Sequence, residues 1–198
     1  DLEIRGAGAI LGDEQSGEIE EMGFFLFNEM LSRTVNTLTR ERDSDNLAAP
    51  STGRVDIDLH IPALLPEDYL PDVHTRLILY KRISTVEDYA SLDRLREEII
   101  DRYGFFGDEV QNLFSISKAK LGMKKIGVKK IDLGTRGGRL EFYPETPVSP
   151  SKILNLLESS VDYKMRDPQT LLISKLLPEG NDRLKELEFI SNTLDLTQ

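Results

Sequence analysis

Apolar residues recur every three or four positions in the early part of the chain, between residues 20 and 42. This spacing places them on one side of an α-helix and predicts an amphipathic helix; they are Phe24, Phe27, Met30, Leu31, Val35 and Leu38. Residues 43–54 then combine polar residues with Ala, Pro50 and Gly53 and have no hydrophobic period, which is typical of a linker. The pattern therefore divides the chain into a segment 1–42, a linker 43–54 and a domain 55–198.

The domain begins with an alternation of apolar and polar residues over 55–61, which predicts a half-buried strand. The residues that follow, up to position 71, contain three prolines and are therefore not expected to form a regular element. Hydrophobic periods further along the chain predict helices at 73–83, 86–103, 109–123 and 150–159, and a final helix from about Asn181.

Capping residues set the predicted ends of these helices. Asp72 is a suitable N-cap for the first helix, and Ser84 or Thr85 for the second. Asp108 occupies the equivalent position before the third helix. Gly104 lies where a C-terminal glycine would end the second helix.

Two strands at 128–133 and 139–143 flank the sequence GTRGG, a combination that predicts a β-hairpin. Two further extended segments lie at 162–166 and 170–176. Because strands and helices do not alternate strictly, the pattern favours an α+β fold with a small sheet over a doubly wound parallel sheet.

Composition and charge narrow the possible functions. The chain has 198 residues, of which 39% are hydrophobic and 30% charged, so it can bury a core. No apolar run is long enough to span a bilayer, and the absence of cysteine fits a cytoplasmic protein. A formal net charge of −10 repels phosphate backbones. These features predict a surface that faces other proteins, and no membrane partner.

No self-contained active site is predicted from the motifs. Gly6, Gly8 and Gly12 have the spacing G-x-G-x-x-x-G, and no hydrophobic strand precedes them, so they match a dinucleotide fingerprint poorly. His60 and His74 lie in different predicted elements, and no cysteine is available as a ligand. We therefore expect no catalytic residue, no cofactor and no metal in this chain.

A charged cluster near the end of the second predicted helix permits two interpretations. Glu98, Asp101 and Arg102 have the spacing i, i+3 and i+4, which places them on one face of the helix. They either stabilise the helix through a Glu–Arg pair or form a charged rim that docks on a complementary partner. The spacing alone favours the first interpretation.

The opening sequence DLEIRGAGAILGDEQSGEIEEMGF resembles the translocation motif that follows the helicase motor in two bacterial families. These are the branch-migration helicases of the RecG type and the transcription-repair coupling factors. The later stretches IPALLPEDYLPDVHTRLILYKRI and EEIIDRYG look like the C-terminal domain that is specific to the coupling factors. The chain is therefore identified, by resemblance, as a piece of that second family.

This resemblance implies roles for particular residues. In the family motif an Arg and a Gln couple nucleotide hydrolysis to movement along DNA, and they fall on Arg5 and Gln15 here, with Gly6, Gly8 and Gly12 allowing the backbone to move. Arg supplies a rigid fork of donors, and Gln can exchange donor and acceptor partners.

The resemblance also implies a parent protein and its partners. The parent would use ATP and Mg to translocate on double-stranded DNA, displace stalled RNA polymerase and recruit the damage-recognition subunit of excision repair. The domain 55–198 would dock on an N-terminal module that resembles an excision-nuclease subunit and mask the recruitment surface. Because no nucleotide-binding motif occurs here, the motor is expected upstream and this chain is not expected to be an enzyme by itself.

Two alternatives remain open from the residues alone. The basic stretch 124–136, which contains the sequence KKIGVKK and Arg136, could bind DNA through phosphate contacts that weaken steeply with salt. A carboxylate site is the other alternative, although no basic or histidine partner lies nearby in the sequence; its residues would be Asp13, Glu14, Glu18 and Glu20.

Overall fold

A five-stranded mixed sheet forms the centre of the computed structural model, which describes residues 55–195. The spatial order of its strands is β1-β2-β3-β5-β4. β1 runs parallel to β2, and the other neighbours are antiparallel. The strands are β1 (Asp56–Asp58), β2 (Val128–Gly134), β3 (Gly137–Phe142), β4 (Tyr163–Asp167) and β5 (Thr170–Ile173).

Alternation along the strands gives the sheet one apolar and one charged face. Ile131 of β2 pairs with Leu140 of β3, which pairs with Leu171 of β5, and all three are buried. On the opposite face Lys130 pairs with Glu141. The antiparallel pairing of β2 and β3 confirms the predicted hairpin.

Five helices accompany the sheet in the described part of the chain, and the predictions for their positions are confirmed to within a few residues. Their apolar sides supply much of the core, including fully buried Ile99, Leu113, Met123, Leu187 and Ile190. The helices are α1 (Val73–Ser84), α2 (Tyr89–Tyr103), α3 (Asp108–Lys125), α4 (Pro150–Ser159) and α5 (Gly180–Leu194).

Of the three predicted N-caps, one is confirmed and two are wrong, and Gly104 is confirmed as the glycine that ends the second helix. Asp72 accepts a hydrogen bond from the backbone N–H of Thr75, as an N-cap does. The second helix, however, is capped by Asp88, which accepts from the N–H of Ser91, while Thr85 closes α1. Asp88 outcompetes Ser84 and Thr85 because those hydroxyls donate back to the carbonyl of Lys81.

The third helix also starts differently from the prediction. Gly107 occupies its N-cap position, and Asp108 is the first helical residue. An acidic side chain in the first turn still interacts favourably with the helix dipole, which explains why the sequence signal pointed to this position.

The strand expected over 55–61 is limited to the three residues of β1. His60 has a positive φ of 52°, which extended backbone cannot continue through. The buried guanidinium of Arg183 holds this bend, since its Nη1 donates to the carbonyls of Leu59 and His60 at 2.8 and 3.2 Å.

The α+β fold class is confirmed by this arrangement of helices and sheet. The helix expected between residues 20 and 42 and the linker 43–54 lie outside the described residues, so the domain boundaries stay predictions. Over residues 55–195, no helix is both long and apolar enough to cross a membrane.

Candidate docking face at the end of helix α2

Helix α2 buries one side and exposes the other. Leu92, Leu95 and Ile99 recur at three- and four-residue intervals and are all buried. The remaining positions of the last two turns are mostly charged and exposed, including the predicted Glu98, Asp101 and Arg102. The structure therefore brings all three predicted residues to the exposed end of one helix.

Glu98 is bound to the preceding helix. Both of its carboxylate oxygens accept hydrogen bonds from Arg82 of α1, at 2.7 Å from Nη1 and 2.6 Å from Nη2. These hydrogen bonds are the main reason that the pKa of the Glu98 carboxyl is lowered, and Arg102 makes a smaller electrostatic contribution. The sequence suggested a pair between Glu98 and Arg102 on the same helix, whereas the structure pairs Glu98 with Arg82 of the neighbouring helix.

Asp101 and Arg102 are free to meet a partner. The guanidinium of Arg102 lies 5.8 Å from the centre of the Tyr103 ring, an exposed cation–π contact. The Asp101 carboxylate is exposed and has no hydrogen bond or ion pair to another residue within 55–195. Opposite charges therefore lie side by side at this end of the helix.

An exposed aromatic side chain follows the helix directly. Phe105 leaves 91% of its surface open to solvent, the largest exposed fraction among the large apolar residues described. Gly104 turns the chain out of the helix with a φ of 87°, and its N–H donates to the carbonyl of Ile100. The hydroxyl of Tyr69 donates to the Gly104 carbonyl at 2.8 Å and so fixes this turn from the other side.

The next residue anchors the turn in the domain. The ring of Phe106 stacks on Phe114 of α3, with centroids 5.7 Å apart, and meets Tyr69 edge to face at 6.2 Å. The guanidinium of Arg96 covers the same ring at 5.7 Å. Phe106 thus holds the backbone while Phe105 points its ring into solvent.

We refer to Glu98, Asp101, Arg102 and Phe105 as the docking face. Phe105 was not predicted from the sequence, although the Phe-Phe pair after Gly104 is visible there. Neither hydropathy nor spacing distinguishes the anchoring ring from the exposed one. The contacts of Phe106 with Tyr69 and Phe114 decide which of the two rings packs against the domain.

Comparison with known proteins gives this domain a family. A model of the TRCF domain matches residues 59–153, a stretch that includes the whole docking face. The transcription-repair-coupling factor of Haemophilus influenzae is 41% identical over 195 residues, and that of Escherichia coli K12 is 35% identical over 192 residues. The chain belongs to the transcription-repair-coupling factor family.

The matches cover nearly all of this chain but a small part of its relatives. They include 98% and 96% of the chain, against 17% and 16% of the Haemophilus and Escherichia proteins. The chain thus spans about a sixth of the length of these coupling factors. A crystal structure of the C-terminal domain of a transcription-repair coupling factor has the same fold, with a TM-score of 0.64 at 21% identity. It matches 74% of this chain and 95% of that domain.

Several other predicted residues fall outside what the structure describes. Arg5, Gln15, Gly6, Gly8 and Gly12 precede residue 55, so their role in translocation stays a prediction. The same holds for the alternative carboxylate site; its residues are Asp13, Glu14, Glu18 and Glu20. Among residues 55–195, no three potential metal-ligating side chains converge.

The basic stretch 124–136 is described, and its charges are partly balanced. Lys130 of β2 lies opposite Glu141 of β3, and Asp132 lies opposite Arg139. Cross-strand neighbours of opposite charge stabilise each other and reduce the potential that a phosphate would meet. The hairpin of this coupling-factor domain is therefore a poorer DNA-binding surface than its lysines alone suggest.

Proposed function

We propose that residues 55–195 form an interaction domain that docks within its parent protein through the docking face. Its partner is the N-terminal module that resembles an excision-nuclease subunit. The observation that carries this proposal is the exposed Phe105 ring, held by a fixed turn next to Asp101 and Arg102. Aromatic and Arg side chains are enriched in protein interfaces and among the residues that contribute most to binding.

The composition of the docking face suits a contact that must open. A large apolar interface would hold the two parts together permanently, whereas one aromatic anchor with charged neighbours gives moderate affinity and high specificity. Closing the contact would bury the Phe105 ring and pair Asp101 and Arg102 with complementary charges. Opening the contact would return all three side chains to water, the environment that they have in the isolated domain.

The four residues of the docking face have different roles in this proposal. Phe105 inserts into an apolar pocket of the partner, and Asp101 and Arg102 pair with charges around that pocket. Glu98 positions the face from within, because both of its oxygens are already bound by Arg82. A change at Glu98 therefore acts through the α1–α2 contact.

Docking would regulate the parent protein. In the closed state the domain masks the surface that recruits the damage-recognition subunit of excision repair, and engagement of stalled RNA polymerase shifts the equilibrium to the open state. The parent is a cytoplasmic, ATP- and Mg-dependent translocase on double-stranded DNA. Arg5 and Gln15 couple ATP hydrolysis to movement in its motor, and the domain itself catalyses no reaction.

A binding titration tests the docking proposal. The 198-residue chain is titrated by calorimetry with the separately produced N-terminal module, at low and moderate salt. Phe105→Ser and Asp101→Lys are each expected to weaken binding by about ten-fold or more, as for anchors of an interface. Leu154→Ser and Glu158→Lys, exposed positions of α4, serve as matched controls and should leave the affinity within about two-fold.

The same titration can contradict the proposal. To exclude a contact that is too weak to see between separate molecules, the module and the chain are also joined by a flexible linker and followed by energy transfer. The docking proposal is wrong if neither experiment shows association, or if the association is unchanged in Phe105→Ser. If the α4 controls weaken binding as much as the docking-face variants, the face has been misplaced.

A further inference from the structure

A second surface with binding properties lies at the start of α5, on elements that contribute nothing to the docking face. A cavity of about 660 Å³ opens there between α5, the end of α4 and the residues after β5. We call it the α5 groove; the lining residues that matter here are Tyr163, Lys175, Leu176, Lys185, Glu186 and Phe189.

The floor of the α5 groove is a neutralised acid. Glu186 is almost fully buried, and its oxygens accept hydrogen bonds from the Tyr163 hydroxyl at 2.5 Å and from Lys175 Nζ at 2.7 Å. Burial, followed by the hydrogen bond to Glu186, raises the pKa of Tyr163, so that the phenol remains a donor. The charge of this carboxylate is balanced by Lys175, and its burial keeps it from direct contact with a ligand.

The walls of the groove expose apolar surface. Leu176 is 71% exposed and Phe189 is 46% exposed, although both lie beside a cavity that a side chain could fill. The ring of Phe189 is stacked on Tyr163, with centroids 6.5 Å apart, so it presents a rigid wall. A leucine or aromatic side chain entering between these walls would remove apolar area from water on both sides.

The polar capacity that remains at the groove is cationic. Lys175 has three N–H donors, of which one is used by Glu186. Lys185 is exposed and has no hydrogen bond or ion pair to another residue within 55–195. The second lining acid, Asp182, accepts a hydrogen bond from the backbone N–H of Glu179 as part of the α5 cap. The N–H groups of Lys175 and Lys185 that have no acceptor therefore face the groove, and a ligand that binds there must supply hydrogen-bond acceptors.

We propose that the α5 groove binds a peptide segment of a partner protein that combines acidic residues with a large apolar side chain. The apolar side chain enters between Leu176 and Phe189, and the carboxylates pair with Lys175 and Lys185. Exposure selects this partner, because the N–H donors of Lys175 and Lys185 are open to solvent, whereas Glu186 is buried beneath Lys175 and Asp182 is bound in the α5 cap. The site is separate from the docking face and is independent of the proposed masking role.

Four synthetic twelve-residue peptides test this assignment on the 198-residue chain, by fluorescence anisotropy. One combines Glu with Phe and Leu; the others replace Glu by Lys, replace Glu by Gln, or replace Phe and Leu by Ser. We expect the acidic, apolar peptide to bind about ten-fold tighter than each of the others. Leu176→Asp and Lys185→Glu should each reduce its binding by a similar factor, because both residues are exposed and their loss leaves the core intact.

Control variants and competing ligands make the outcome decisive. Ile78→Asp on α1 and Lys129→Glu on β2 are exposed changes of the same kind away from the groove and should leave binding unchanged. The proposal is overturned if no peptide binds saturably up to millimolar concentration, or if the basic peptide binds equally well. Inorganic phosphate is the competing ligand. The proposal is also overturned if phosphate displaces the peptide and this displacement is lost in Lys185→Glu but not in Leu176→Asp, since the groove would then be a simple anion site.

Discussion

The guanidinium of Arg82 grips both carboxylate oxygens of Glu98 and thereby links α1 to α2. Each side chain keeps more than 40% of its surface exposed, so this pair contributes little to the stability of the fold. The pair instead fixes the position of the end of α2, because Asp101 and Arg102 lie within one turn after Glu98. Glu98 and Arg82 should therefore behave as one unit in any docking experiment.

A double-mutant cycle tests this coupling. We expect Glu98→Gln and Arg82→Gln to weaken binding to the N-terminal module to the same extent, and the double variant to bind no worse than either, because each change breaks the same contact. The affinities of the three variants and the unaltered chain, measured by calorimetry, provide the cycle. Additive losses would show instead that Glu98 contacts the partner directly.

Two glycines should respond very differently to alanine. At Gly137 a Cβ atom would lie 1.9 Å from the carbonyl oxygen of Ile173, so Gly137→Ala forces β3 and β5 apart and should abolish cooperative folding. At Gly104 nothing lies within 4 Å of the added atom, so the cost is the backbone strain at a φ of 87°, about 1–3 kcal/mol. Urea unfolding measures both; equal destabilisation would contradict this account.

Arg183 should be the most sensitive charged residue of the described domain. Its guanidinium donates to the carbonyls of Leu59, Leu177 and Pro178, among others, and is almost fully buried. Arg183→Met leaves these acceptors without a donor and should lower the free energy of unfolding by about 3 kcal/mol or more. Arg136→Met, at an exposed position, is the control and should change it by less than about 0.5 kcal/mol.

Acid should weaken the domain in part through the cap of α2. The hydroxyl and backbone N–H of Ser91 donate to Asp88 and lower the pKa of its carboxyl below the ordinary 3.8. The folded state binds the proton of Asp88 less tightly than the unfolded state does. The stability that this difference contributes is therefore complete above pH 3.8 and is lost as the pH falls through the lower pKa of the folded state.

Asparagine separates this titration from the cap itself. Asp88→Asn retains a good N-cap, so its urea midpoint at pH 7 should stay close to that of the unaltered chain, but it should fall less steeply below pH 3.8. Asp93→Asn, an exposed change on the same helix without a capping role, should follow the unaltered chain. If the urea midpoints of Asp88→Asn and of the unaltered chain fall equally steeply below pH 3.8, the assignment is contradicted.

Local signals in the sequence were enough for much of the fold. Asp72 before an apolar period defines α1, and the turn-rich GTRGG between alternating strands defines the hairpin, because caps and turns act between near neighbours. The end of β1 was not predictable in this way. It depends on Arg183, which reaches carbonyls more than 120 positions earlier in the chain.

The docking face shows the same division between local and distant causes. Helical spacing was sufficient to place Glu98, Asp101 and Arg102 at one end of α2. The partner of Glu98 lies on another helix, and the exposure of Phe105 depends on how Phe106 packs against Tyr69 and Phe114. Such choices are made by tertiary packing, which spacing along one helix does not encode.

Recruitment of the repair subunit by the parent protein tests the central claim most directly. The intact parent, with and without Phe105→Ser, is titrated with the damage-recognition subunit in the absence of RNA polymerase, and Leu154→Ser serves as the control. If the domain masks the recruitment surface, Phe105→Ser should raise the apparent affinity by about ten-fold, because more of the parent is open. An affinity that stays unchanged or falls, while the control matches the unaltered parent, would contradict the account.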